Sequence, residues 1–263
     1  MLEYEFFRNA LAGVVMLSIA SAIIGTYIVS RRLVSISGGI THACFGGLGL
    51  GYWLGVSPVA MAALFAVASS LGVDHLARRH NVREDSAIAV VWALGMALGT
   101  LFIFLTPGYV PELNSFLFGN VLTISRLDLL LFAIYLVVLA SGFLLFRNTI
   151  MLCAFDPDFC RVRRVRATLV STAMTVMIAL CIVLTIKMVG VMLLMSLFSL
   201  PQMTAECFSR RFSGIMWLSV LISLGCSVGG LFLSTVITVP CSALIVIIMA
   251  ILFFAARLIK LCA

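Results

Sequence analysis

Apolar side chains run in long uninterrupted stretches along this chain, and the ionisable residues fall between them. Charge-free runs cover residues 9–30, 33–73, 86–111, 129–146, 167–186, 188–205 and 212–256. A helix crossing the roughly 30 Å hydrocarbon core of a bilayer needs about 20 apolar residues, so five of these runs each predict one span. The runs 33–73 and 212–256 hold 41 and 45 residues, twice a span, and each predicts a helical hairpin. Ser57-Pro58 and Val239-Pro240 fall near where those hairpins must turn, because the residue before a proline is steered away from helix. The pattern predicts an all-α polytopic protein with about nine membrane-spanning helices, residues 1–263 forming a single transmembrane domain. The interval 113–125 is too short to cross and reads as a re-entrant or interfacial segment.

Composition removes the soluble alternatives. Hydrophobic residues make up 63% of the 263 and charged residues 10%, against roughly 45–50% and about 25% in soluble domains. Mean hydropathy is +1.23. A water-soluble enzyme, a disulfide scaffold and a disordered chain are excluded, and little mass remains for any domain outside the bilayer. The net charge of +7 is explained by topology. With Arg31 and Arg32 on the cytoplasmic side, alternation puts Arg78, Arg79, Arg83, Arg147, Arg161, Arg163, Arg164, Arg166, Arg210, Arg211, Arg257 and Lys260 there too. Only Arg8, Arg126 and Lys187 fall outside. The positive-inside rule then predicts an N-out, C-in chain, and no nucleic-acid role is needed. The first apolar run follows acidic residues and is too long for a signal peptide, so it reads as the first span.

Helix breaks and packing residues change the picture further. The eight cysteines form no Cys-x-x-Cys pair and read as small apolar packing residues. Gly39, Ala43, Gly47, Gly51 and Gly55 recur every four residues and predict a flat face against which another helix can approach closely. Gly95/Gly99 and Gly225/Gly229 repeat that spacing. The cluster Ser37-Gly38-Gly39 predicts a broken stretch lining a path, since irregular backbone at membrane depth is tolerated only against protein or a water-filled cavity. His42 is the one histidine in a charge-free run. Imidazole is a common metal ligand and proton carrier, and the plainer alternative is a neutral histidine bonded to a backbone carbonyl. Near residue 200, Pro201 and small polar residues interrupt an apolar run just before Glu206, Arg210 and Arg211. That arrangement predicts a short surface helix able to dock a soluble partner, or else a kinked helix end.

Five motifs in register carry a family resemblance. Arg31-Arg32, then nine residues, then His42-Ala43 stand at the start of a glycine-rich second span. Glu84-Asp85-Ser86-Ala87-Ile88-Ala89, then Leu113 to Asn120 with Asp128-Leu129, come next. Asp156-Pro157-Asp158-Phe159 and the stretch Val189-Gly190 to Leu200-Pro201 and Thr204-Ala205 complete the set. Together they resemble the permeases of the ABC metal-uptake family, the zinc, manganese and iron importers, from about residue 10 to 260. The resemblance implies a transmembrane permease domain similar to the vitamin B12 and siderophore permeases, in a bacterial inner membrane. It implies a permease homodimer, two cytoplasmic ABC ATPase subunits and an extracytoplasmic metal-binding protein, with a divalent metal ion as substrate and no cofactor held by this chain. ATP hydrolysis would belong to the partner, since the chain has no Gly-x-x-x-x-Gly-Lys-Ser/Thr loop. His42 would line the path, and Pro201, Gln202, Thr204, Ala205, Glu206, Arg210 and Arg211 would form the ATPase-coupling helix. The family's aspartate four residues before the histidine is Gly38 here, so a metal-coordinating pair is reduced to His42, with Glu112 on the outer side as a candidate substitute. An ion-coupled carrier or channel is the alternative, but it would need intramembrane carboxylates, and the acids fall at span ends or loops. An intramembrane enzyme would need a partner for His42 that its own helix lacks.

Overall fold

The computed structural model describes residues 4–79, 82–107, 119, 121–155, 159–160, 167–237 and 239–262. They form helices α1 (Glu5–Ser30), α2 (Val34–Leu54), α3 (Pro58–Arg79), α4 (Glu84–Leu105), α5 (Arg126–Phe155), α6 (Ala167–Leu197), α7 (Leu200–Phe208), α8 (Phe212–Ile237) and α9 (Cys241–Cys262), with a 3₁₀ turn at Val121–Thr123. Among the described residues there are no strands. The expected hairpin turns are present. α2 ends on left-handed Gly55 and α3 begins at Pro58, while α8 ends at Ile237 and α9 begins after Pro240. Proline at the first helical turn costs nothing, because its missing N–H would be unbonded there anyway.

The chain divides into two compact units, one of Met1–Arg32, Leu113–Leu145 and Leu184–Ala263, the other of Leu33–Glu112 and Phe146–Val183. In the first unit α1 is enclosed, with every residue from Ala20 to Val29 buried. A helix that is apolar on all sides is satisfied only inside. Its hydroxyls are bonded within the helix: Ser18 donates to the Val14 carbonyl at 2.8 Å and Thr26 to that of Ala22 at 2.6 Å. Phe7 meets Phe232 of α8 edge-on at 5.3 Å.

In the second unit α2 lies against both α3 and α4, and the glycines make this possible. A Cβ on Gly51 would fall 2.6 Å from the Pro58 Cα, and one on Gly49 would fall 2.5 Å from the Gly99 carbonyl oxygen. Gly47 faces α3, Gly39, Ala43 and Gly49 face α4, and Gly46 lies between the two, against Phe65 of α3 and Gly95 of α4. The small residues therefore serve two neighbours, not one flat face. Gly95 and Gly99 of α4 complete the contact, but nothing lies within 4 Å of the Cβ positions of Gly225 and Gly229. Two cross-links add to the packing: Ser35 donates to Asp85 at 2.9 Å, and Thr172 donates to Asp74 at 2.7 Å.

Two expectations are corrected. Eight helices of 21 residues or more are present among the described residues, beside the about nine spans expected of the whole chain. Residue 187 was read as a boundary between two spans, with Lys187 outside. It lies within α6, where Lys187 pairs with Asp128 of α5, so its charge is neutralised without a helix end. The run 188–205 instead divides at Gly190, whose φ of 80° and ψ of 173° interrupt the helix, and again before α7. The second correction concerns Ser37, Gly38 and Gly39. They are buried in the continuous helix α2, so no backbone break occurs there. Most of the interval 113–125 lies outside the described residues; its described part holds the 3₁₀ turn.

Candidate functional site

His42 sits in the middle of α2, half-buried, on the side facing α4. Its ring stacks on Trp92 of α4 with centroids 4.5 Å apart and 5° between planes, and lies 5.8 Å from Phe45. The two aromatic neighbours hold the imidazole plane. Nδ1 is buried and has no hydrogen-bond partner among the described residues, and neither has the Oγ1 of the adjacent Thr41. The plainer reading, a neutral histidine bonded to a backbone carbonyl, finds no such bond at Nδ1 among the described residues. A buried polar atom without a partner is costly, by about 1–3 kcal/mol, and it is where a ligand or water would be held.

Among the described residues no group of three or more His, Cys, Asp or Glu side chains converges to hold a metal ion. Glu112 lies outside the described residues. Gly38, four residues before His42, is buried in α2.

α7 is built from the inside outward. Pro201, Gln202, Thr204 and Ala205 are buried, whereas Glu206, Phe208, Arg210 and Arg211 are exposed. The Gln202 amide donates to the Ser21 carbonyl of α1 at 2.9 Å and to the Leu197 carbonyl at the end of α6 at 3.1 Å. Gly25 of α1 gives that amide its room, since a Cβ there would overlap it. The Lys260 ammonium reaches the Glu206 carbonyl at 3.5 Å. Four of the seven residues expected to contact a partner thus anchor the helix within this chain. Only Glu206, Arg210 and Arg211 are left to reach outward, joined by Phe208.

A second buried polar feature was missed in the sequence. Ser125 and Asp128 form a reciprocal cap on α5. Asp128 Oδ2 accepts from the Ser125 N–H at 3.2 Å and hydroxyl at 2.7 Å, and the Asp128 N–H donates back to Ser125 Oγ at 3.2 Å. The spacing Ser-x-x-Asp before an apolar run is the signal that announces such a cap. Asp128 also pairs with Lys187, three residues before the Gly190 break. A Cβ on Gly119, itself left-handed at φ 57°, would collide with the backbone of Val189 and Gly190, and Gly190 at φ 80° holds a conformation that L side chains rarely adopt. Trp92 and Phe208 were missed because one apolar residue in an apolar run carries no distinguishing signal.

Comparison with known proteins gives a consistent picture. Residues 3–260 match the model of the ABC 3 transport family. A membrane protein of Synechocystis, described as uncharacterized, is 36% identical over 232 residues, spanning 87% of this chain and 82% of that protein. A probable metal transport system membrane protein of Chlamydia pneumoniae is 34% identical over 250 residues, spanning 92% of this chain and 85% of its own. The fold is similar to a chain of PsaBC from Streptococcus pneumoniae, solved in complex with Fab, with a TM-score of 0.84 at 22% identity over 97% of this chain and 92% of that one.

Proposed function

The chain belongs to the ABC 3 transport family, and from that premise we propose that it is the permease subunit of an importer moving zinc, manganese or iron into the cytoplasm. Alternating access driven by a partner ATPase would move the ion, with residues 1–263 acting as one permease domain, N-terminus outside and C-terminus inside. The functional assembly is a permease homodimer with two cytoplasmic ATPase subunits, supplied by an extracytoplasmic metal-binding protein.

The observation that carries this reading is His42. It is an imidazole in a charge-free helix, held flat against Trp92, with Nδ1 buried and without a partner. A neutral imidazole nitrogen suits zinc and iron, while manganese favours oxygen ligands, and a polar atom kept unsatisfied at membrane depth is a functional feature by default. With Gly38 in place of a carboxylate, the ion is held by fewer ligands and less negative charge. A path needs that balance, because an ion bound too tightly does not leave. Replacing His42 by Ala should cut metal uptake by at least the roughly 10–100-fold lost when even an outer-shell partner of a metal is removed. Assembly and basal ATPase activity should persist. Unchanged uptake would defeat the assignment of His42 to the path.

The exposed end of α7 is the surface proposed for the ATPase. Gln202 fixes the helix to α1, so a push on Glu206 and Phe208 would be transmitted into the bundle. Reversing both charges, Glu206→Lys with Arg210→Glu, should weaken ATPase binding by about 2 kcal/mol or more, the size of an interface hot spot. The chain itself should still insert and fold, because both side chains are exposed. Pull-down of the ATPase at wild-type affinity, with full coupling of hydrolysis to uptake, would show that the docking surface lies elsewhere.

A further inference from the structure

The geometry points to a redox-active dithiol formed by Cys153 and Cys160, which closes to a disulfide under oxidising conditions. Cys153 lies in the last turn of α5, Cys160 seven residues on, and both are buried. Their sulfur atoms are 2.7 Å apart. The thiols of Cys44 and Cys207, which donate to carbonyl oxygens, sit 3.1 and 3.6 Å from their acceptors. A disulfide bond is about 2.05 Å long, so a movement of less than about 1 Å joins the pair.

The same distance argues against a metal clamp. Two thiolates each about 2.3 Å from a tetrahedral zinc ion are roughly 3.7 Å apart, well beyond the observed separation. Among the described residues no third His, Cys, Asp or Glu joins the two sulfurs to make a metal group. The pair is built for a bond between its own sulfur atoms.

The compartment sets when that bond forms. The arginines at 161, 163, 164 and 166 follow Cys160 directly and, in the orientation proposed above, place the pair on the cytoplasmic side, where thiols are kept reduced. The disulfide is therefore a response to a shift in thiol balance, not a permanent staple. The oxidant is a low-molecular-weight disulfide such as oxidised glutathione. The sulfur of Cys153, the more accessible of the two, attacks one sulfur of that disulfide and breaks its S–S bond, releasing one small thiol. The Cys160 sulfur then attacks Cys153 and expels the second small thiol. Two protein thiols lose two electrons and two protons, and the small disulfide gains both as two thiols. Closure ties the end of α5 to the segment leading into α6.

The test uses membrane vesicles carrying the full chain with its ATPase, made permeable to glutathione and equilibrated at stepped ratios of reduced to oxidised glutathione. N-ethylmaleimide then blocks the remaining thiols. Trypsin cuts after Arg147 and Arg161, so both cysteines fall in peptide 148–161. As the ratio becomes oxidising, mass spectrometry should show this peptide change from doubly alkylated to a species two hydrogens lighter than the dithiol, restored by dithiothreitol. Cys160→Ser should leave a glutathione adduct trapped on Cys153 instead. The wild-type titration decides the matter even if that variant folds poorly. A peptide that stays doubly alkylated at the most oxidising ratio would overturn the proposal, as would separate glutathione adducts on both sulfurs. Protection by added zinc that a chelator reverses and dithiothreitol does not would also overturn it, in favour of a metal site.

Discussion

Gly99→Val is expected to lower the melting temperature of the chain severely. A Cβ at this position of α4 would fall 2.6 Å from the Phe45 carbonyl oxygen, 2.7 Å from its carbon and 3.0 Å from the Gly46 nitrogen, all backbone atoms of α2. No change of rotamer relieves such an overlap. Overpacking among flexible side chains costs about 1–3 kcal/mol; here the two helices must separate along their length, and the cost exceeds that range. Within a bilayer the loss is not recovered elsewhere, because close backbone approach supplies the association energy that water would otherwise supply through the hydrophobic effect. Gly142→Val is the matched control. Nothing lies within 4 Å of its Cβ position, and valine has a slightly better helix propensity than glycine, so its effect should stay below about 1 kcal/mol. Thermal unfolding of the purified transporter in detergent compares the two. A Gly99→Val protein melting at the wild-type temperature would show that α2 and α4 do not pack as described.

Lys187→Met is expected to destabilise the chain strongly, and Lys187→Met with Asp128→Asn to recover much of the loss. Asp128 is buried, at 9% exposure, and among the described residues its side chain is bonded to Lys187 and Ser125. The first turn of α5 favours its negative charge through the helix dipole, but the lysine neutralises it. Breaking a fully buried pair costs about 3–5 kcal/mol, because the remaining charge is left without compensation. The lysine side chain is 39% exposed, which puts the single variant near the lower end, about 3 kcal/mol. Removing both charges leaves an amide that can still bond Ser125. The pair also holds α6 beside the Gly190 break, so Lys187→Met should reduce transport more than its effect on protein level explains. Equal stability of the single and double variants would show that the ion pair does not set this energy.

The residues that were easy to read are those whose effect is local. Pro58 and Pro240 mark the hairpin turns because proline constrains its own backbone and the residue before it, whatever surrounds them. The charge-free runs likewise mark the helices, since a bilayer tolerates few charges anywhere along a span. Lys187 was misread for the same reason. The rule that a charge ends a span holds only for an unpaired charge, and its partner lies 59 positions away (187 − 128) at the start of α5. Ser37-Gly38-Gly39 resembles a break, yet Gly39 is needed for the closeness of Ile88 in α4 and the backbone stays helical. The true interruption, Gly190, is one glycine in an apolar run, and its conformation is set by Gly119 pressed against it. In α7, polarity misled in the other direction. Gln202 and Thr204 are polar but buried, because the carbonyls of Ser21 and Leu197 receive the glutamine amide. His42 was legible as a lone imidazole in an apolar helix. The stacking on Trp92 that holds it was not, because it joins two helices across the fold.

The central claim is that this chain carries a transition-metal ion inward when a partner hydrolyses ATP. The most direct measurement is radiotracer uptake into proteoliposomes containing the permease and its ATPase, with the cognate binding protein outside, tested with zinc, manganese and iron in turn. One of these ions should accumulate against its gradient, only with ATP present, and that accumulation should be lost in the His42→Ala protein despite normal complex formation. Accumulation that proceeds without ATP and follows an imposed proton or sodium gradient, or that is indifferent to His42, would contradict it.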